Sequence, residues 1–313
     1  MTKNGLPHPG QTGLRLTLVG LGDVGGTLLT ALKLLGDEID EIGIFDPYDP
    51  LIDRYCMELG QVLERPVPKI ARRAPEDLFD CDVFLFAASQ GVPPVGAEGD
   101  VRMAQFAGNR ELLKQYTKQA RAVGFSGLFC QVSDPVDLLC QCVYWQSNTD
   151  ENGAFDGRGL RKEQIVGFGL GVMAARAQYY ARQRGLDPAG IAAFGPHGAG
   201  LLIANDLENY DDELSLALTR QTAEANREVR ALGFKPYIAP ALSSACLSLL
   251  NLLRGQPFYG AIPTDGIWFG TLARWTEDGA VPLHDVSALP PLLRGRIESA
   301  VRELKEWEPQ CRL

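Results

Sequence analysis

The sequence predicts an α/β fold built on a doubly wound parallel sheet, and three observations carry that expectation. Apolar runs of strand length alternate with helix-like segments. A glycine turn, Gly20-Leu-Gly-Asp-Val-Gly25, joins the first such run to the first such helix. The runs at 82–88 and 127–133 are apolar with little interruption, as expected of strands covered on both faces.

In order along the chain, Leu14, Leu16, Leu18 and Val19 form the first strand, and residues 27–35 form a helix just past the glycine turn. A strand, a glycine turn and a helix start gather backbone N–H groups and the positive end of a helix dipole at one point. A pyrophosphate suits that point. The glycines at 20, 22 and 25 allow the tight turn, close approach of backbone to phosphate, and close packing of helix on strand. Residues 41–46 read as a second buried strand ending in Asp46, which lies 21 residues past Gly25. A carboxylate there binds both hydroxyls of an adenosine ribose. No arginine follows Asp46 directly, which favours NAD over NADP. Gly20, Gly22, Asp23, Val24, Gly25 and Asp46, with Ala88 and Val132 at the ends of the two apolar runs, make up the expected cofactor set. This first half is therefore read as a Rossmann-type lobe.

Further helices are expected at 50–63, 100–122, 171–185, 209–232 and 289–307, with a buried helix at 236–253, a short strand at 67–72 and strand and turn segments at 257–269. Residues 89–99 form a long loop rich in glycine and proline, and 146–161 a polar insertion near the lobe boundary. The expected division is a disordered leader at 1–13, a nucleotide-binding lobe at 14–146 and an α+β catalytic lobe at 147–313.

The 313 residues are 45% hydrophobic and 22% charged, enough for two core-bearing lobes. A net charge of −9 argues against nucleic-acid or anionic-membrane partners. No run approaches membrane-spanning length, and the first residues lack the apolar core of a signal peptide. Seven cysteines, an odd count scattered through apolar segments, read as buried thiols of a reducing cytoplasm. The spacing of Cys140 and Cys142 fits no common zinc pattern, and no metal is expected.

Four motifs in order resemble the lactate/malate dehydrogenase family over nearly the whole chain from Leu14. They are the glycine loop with Asp46, Ser133-Asp-Pro-Val-Asp137, the segment Gly167-Phe-Gly-Leu-Gly-Val-Met-Ala-Ala-Arg176, and Gly195-Pro-His-Gly198. The resemblance implies hydride exchange between NAD and C2 of a small 2-hydroxy or 2-keto acid, in a homodimer or homotetramer. It makes His197 the proton donor and acceptor, since a neutral imidazole titrates near working pH. It makes Arg176 the guanidinium that grips the substrate carboxylate in bidentate fashion. Arg102, followed by Asn109 at a familiar distance, matches the loop arginine that closes over the substrate and polarises its carbonyl.

Two departures stand out. The family's helix carries an Asp three residues before the carboxylate-binding Arg, where it orients the histidine; here that residue is Met173. The strand-end motif normally reads Ser-Asn-Pro, and here it is Ser133-Asp134-Pro135. Asp134 is expected to supply, from another side of the imidazole, the carboxylate that Met173 lacks. A nearby anion favours the protonated ring and so favours keto-acid reduction. Ala97, at the family's side-chain-reading position in a lengthened loop, disfavours malate and oxaloacetate, and Pro236, Ile238 and Ala239 are expected to wall the pocket. A catalytically impaired NAD-binding homologue with a scaffold or regulatory role is the alternative. An NAD- and metal-dependent glycosidase would want Cys and His ligands that the Gly-x-His-Gly context does not offer.

Overall fold

The computed structural model describes residues 5–63, 67–90 and 103–312. Its centre is a nine-stranded sheet. Strands β1 (Leu14–Val19), β2 (Ile39–Phe45), β3 (Lys69–Arg72), β4 (Val83–Phe86), β5 (Leu128–Gln131) and β6 (Ile165–Gly167) run parallel in the order β3-β2-β1-β4-β5-β6. After β3 the chain returns to the far side of β1. The carboxyl ends of β1 and β4 therefore border the switch point where such sheets bind ligands.

The alternation of β4 shows how this sheet is covered. Phe84 and Phe86 join one apolar cluster, with residues of α3 (Phe106–Ala122) and α4 (Val136–Ser147). Val83 and Leu85 join another, with residues of α1 (Asp23–Leu35) and α2 (Asp49–Gly60). All four β4 residues are buried, because helices lie on both faces.

The second half carries α5 (Leu170–Gln183), a two-stranded antiparallel ribbon of β7 (Ala192–Phe194) and β8 (Leu202–Ala204), and α6 (Asp212–Ala231). These elements pack around a third apolar cluster that includes Leu170, Ala177, Ile203 and Leu218. A π-helical turn at Pro240–Cys246 leads into α7 (Leu247–Leu253). Strands β9 (Phe258–Thr264), β10 (Ile267–Thr276) and β11 (Gly279–Pro282) then extend the main sheet in antiparallel fashion beyond β6, and α8 (Pro291–Glu306) follows.

Several expectations need correction. Within the leader, residues 5–13 are not disordered. Leu6 is fully buried in the cluster of Leu14, Phe258 and Trp275. The Trp275 indole N–H donates to the Pro7 carbonyl at 2.9 Å, and Gly10 N–H donates to the Leu253 carbonyl at 2.6 Å. The α-helix expected from residue 100 begins at Phe106, after one 3₁₀ turn at Met103–Gln105. The segment 236–253 is not uniformly buried, since Ile238 and Leu247 face solvent. Of the insertion expected at 146–161, residues 146 and 147 are buried as the end of α4 and 151–158 are exposed but anchored: Arg121 clamps Asp156 through two hydrogen bonds, which hold that carboxyl down at about 2. Six of the seven cysteines are buried and Cys56 is half-buried. Among the described residues, no helix is long and apolar enough to cross a membrane.

Candidate active site

The glycine loop closes over the switch point. Gly20 has φ of +92°, a region that favours glycine, and a Cβ there would collide with the backbone of Ala88. A Cβ on Gly25 would run into the Gly20 carbonyl oxygen, so the first turn of α1 seats directly on the loop. Gly22 has no atom within 4 Å of where its Cβ would stand. The start of α1 is thus open on one side and packed on the other, a cradle that fits a phosphate. Asp46, just past β2, accepts the Leu21 N–H at 2.9 Å and the Tyr48 N–H at 3.0 Å. A carboxylate has further lone pairs beyond these two, so the contacts fix its position without exhausting it. Val24, Ala88 and Val132 are half-buried, while Gly22 and Asp23 are exposed. Asp23, the first residue of α1, pairs with Lys235 at 3.0 Å.

The turn after β7 presents His197, its side chain only 8% exposed. The imidazole Nδ1 lies 3.1 Å from Asp134 Oδ1. The Asn109 amide, fully buried, fixes the backbone beneath this pair by donating to the Asp134 carbonyl at 2.7 Å while its own oxygen accepts Gln90 N–H at 2.6 Å. Ser133 Oγ donates to the Ala88 carbonyl at 2.6 Å, tying the strand-end motif to the end of β4. Below lies Asp137, almost completely buried, which accepts the His197 backbone N–H at 3.3 Å. Burial pushes its carboxyl up to about 7, against the pull of that hydrogen bond and with a further push from Asp134. The ring of His197 rests on Gly169, the residue before α5. A Cβ at Gly169 would stand 2.8 Å from His197 Cβ and 3.0 Å from Nδ1.

Met173, one turn into α5, is buried among Leu170, Ala174 and Ala177 and offers no acceptor. Arg176 lies on the same helical face as Met173, about 10 Å along the axis from Gly169. Its guanidinium donates to Asn226 Oδ1 of α6 at 2.5 Å. Arg102 and Ala97 lie outside the described residues. Pro236 is half-buried and Ile238 and Ala239 are exposed; none of the three walls the cavity beside the imidazole. That cavity, about 140 Å³, lies between Pro135, His197 and Gly198 on one side and Ala300, Leu304 and Trp307 on the other.

The sequence by itself assigns no role to Gly169, Asn109, Asp137, Asn226 or Lys235. Asp137 closes the strand-end motif, and its apolar neighbours Val136 and Leu138 signal its burial. Gly169 belonged to a glycine-rich turn. Nothing local to Asn226 or Lys235 marks either.

No family model matches the chain. The L-lactate dehydrogenase of Mesomycoplasma hyopneumoniae (strain 232) is 23% identical over 301 residues, covering 88% of this chain and 90% of that protein. The minor L-lactate dehydrogenase of Enterococcus mundtii, solved in a ligand-bound form, superposes with a TM-score of 0.79 at 19% identity, covering 97% of this chain and all of that one. Cryptosporidium parvum malate dehydrogenase gives 0.76 at 14% identity, over 96% and 99% of the two chains. The chain is similar to these L-lactate and malate dehydrogenases over nearly its whole length, at low identity. The likeness to these solved structures is one of fold, a large mostly parallel sheet with helices packed on it. In this chain a histidine faces a strand-end Asp, with methionine buried on the neighbouring helix.

Proposed function

We propose that the chain is an NAD-dependent 2-hydroxyacid dehydrogenase acting on a 2-hydroxy/2-keto monocarboxylic acid, as a homodimer or homotetramer in the cytoplasm. The observation that carries this reading is the 3.1 Å approach of His197 Nδ1 to Asp134. It supplies the carboxylate that Met173 cannot.

Bound NAD would supply the hydride acceptor or donor. Gly20, Gly22, Val24, Gly25 and the backbone of Asp23 would hold its pyrophosphate, Asp46 its ribose, and Ala88 and Val132 the strand ends beside it. The chain's own residues do the rest. Asp134 holds Nδ1 as a donor and stabilises the charged ring, so Nε2 is the nitrogen that exchanges a proton with the substrate oxygen. Asp134 then does from the strand end what the family's helix carboxylate does. Arg176 would grip the substrate carboxylate, positioned by Asn226, which steers its planar fork. Arg102 would polarise the carbonyl, and Ala97 would leave the side-chain end of the substrate uncharged.

The test has two parts. Titration with NADH, followed by nucleotide fluorescence, asks whether the cofactor binds. A panel of 2-keto acids, followed by loss of NADH absorbance, asks whether it reacts. Turnover that is lost in His197→Ala with NADH binding retained is the expected result. A second reading, a cofactor-binding homologue that has lost the reaction, draws on Met173 and on the commitment of Arg176 to Asn226. NADH binding without turnover across the panel would establish it and sink the first.

A further inference from the structure

The glycine loop carries a charge of the wrong sign for its expected guest. Asp23 sits between the second and third glycines and opens α1. A carboxylate at a helix N-terminus is favourable by itself, but it occupies the field that a phosphate would use. A pyrophosphate brought to the same turn meets a like charge. Lys235, brought from 212 residues further along the chain, stands 3.0 Å from that carboxylate. It belongs to the exposed stretch between α6 and the π-helical turn. Both side chains are largely in water, 63% and 47% exposed, so the pair is weak and readily exchanged.

We propose that Lys235 is the counter-ion of the dinucleotide pyrophosphate, and that Asp23 holds it at the loop until the nucleotide arrives. This rests on the dinucleotide reading above. An ammonium on a four-carbon stem can turn from one anion to another without backbone movement. A pyrophosphate offers it more charge and more oxygens than a carboxylate does. With the lysine between them, Asp23 and the pyrophosphate no longer face each other unscreened. Lys235 comes from the second half of the chain and the glycine loop from the first. Cofactor affinity thus depends on a residue outside the nucleotide-binding lobe.

Three chemical consequences separate this role from a structural one. Removing the lysine charge weakens any ligand with a pyrophosphate and spares one without it. Removing the Asp23 charge acts in the opposite direction. Lysine can be replaced by arginine with little loss.

The experiment is a titration of the full chain with NADH, ADP and adenosine, by calorimetry or nucleotide fluorescence at fixed ionic strength. The variants are Lys235→Gln, Lys235→Arg and Asp23→Asn. Lys235→Gln is expected to weaken NADH and ADP on the order of tenfold and to leave adenosine unchanged. Lys235→Arg should stay close to the parent, and Asp23→Asn should tighten NADH and ADP severalfold. Lys235→Gln with unchanged NADH affinity, or with an equal loss for adenosine, would overturn the proposal and leave the dinucleotide reading intact. Weaker binding in Asp23→Asn would also overturn it. A parent chain that binds neither NADH nor ADP would overturn both.

Discussion

Asp134 and Asp137 are two acids of one motif set to opposite tasks. Asp134 reaches the imidazole from a partly open position, 27% exposed. Asp134→Asn removes that charge while keeping an oxygen in place. Keto-acid reduction needs a protonated imidazole, so its rate falls as pH rises through the ring's titration. In the variant that fall is expected at lower pH, with kcat down about 10- to 100-fold. An unchanged pH–rate profile would show that Asp134 does not act on His197. Asp137 is the reverse case, a carboxyl raised from 3.8 to about 7 by burial. The folded chain therefore holds a proton that the unfolded chain releases above about pH 4. Stability contributed by the neutral acid is present below the unfolded value and is lost as pH climbs toward 7, by up to about 4 kcal/mol. Asp137→Asn has no proton to lose. Its melting temperature, compared with the parent's by calorimetry at pH 5 and pH 8, is expected to gain on the parent as pH rises. Parallel curves would mean that Asp137 is not held near neutrality.

At the scale of elements, the join between β6 and α5 sets the position of the histidine. Gly169 leaves its Cβ space to the His197 ring, and the two contacts at 2.8 and 3.0 Å involve atoms that cannot give way without turning the imidazole. Gly169→Ala is expected to lower kcat at least tenfold while changing the melting temperature by only a few degrees, since it fills a site pocket rather than opening a core cavity. Full activity in the alanine variant would mean that the ring can settle elsewhere. This contact explains what could and could not be read in advance. The glycine loop, β1, β2 and Asp46 were legible because a strand, turn and helix in sequence impose their own periods. The pairing of Asp134 with His197 was legible as chemistry, because one residue's loss and another's gain pointed to the same imidazole. The seat of the ring on Gly169 was not legible, because the contact bridges separate segments. Strands β6, β7 and β8 have three residues each, too few for alternation to declare itself. The order of residues 5–13 was missed for a related reason. Their glycine and proline content reads as coil, and what fixes them is packing against Phe258 and a hydrogen bond from Trp275, far away in sequence.

At the scale of the molecule, the two halves share one sheet, since β9, β10 and β11 continue past β6 from the strands that carry the glycine loop. The segment after α6 leaves Leu232, Phe234 and Ile238 exposed, and α7 exposes Leu247. If these cover one another in a homo-oligomer, the Phe234→Glu, Ile238→Glu double variant is expected to run as a smaller species by light scattering, and an unchanged mass would place the interface elsewhere. The leader crosses the same boundary from the other side. Leu6 lies in the core that β1, β9 and β10 line, Pro7 accepts the Trp275 indole, and Gly10 binds the last turn of α7. Full burial of one leucine contributes about 2 kcal/mol and one buried hydrogen bond about 1 kcal/mol. Deleting residues 1–9 removes both and leaves the indole N–H of Trp275 without its carbonyl. The melting temperature is expected to fall by about 5–10 °C. The leader's hydrogen-bond partners, Trp275 and Leu253, lie outside the glycine loop, so NADH affinity measured well below the new melting temperature should be unchanged. A truncated chain as stable as the parent would show that Leu6 and Pro7 rest on a core that is complete without them.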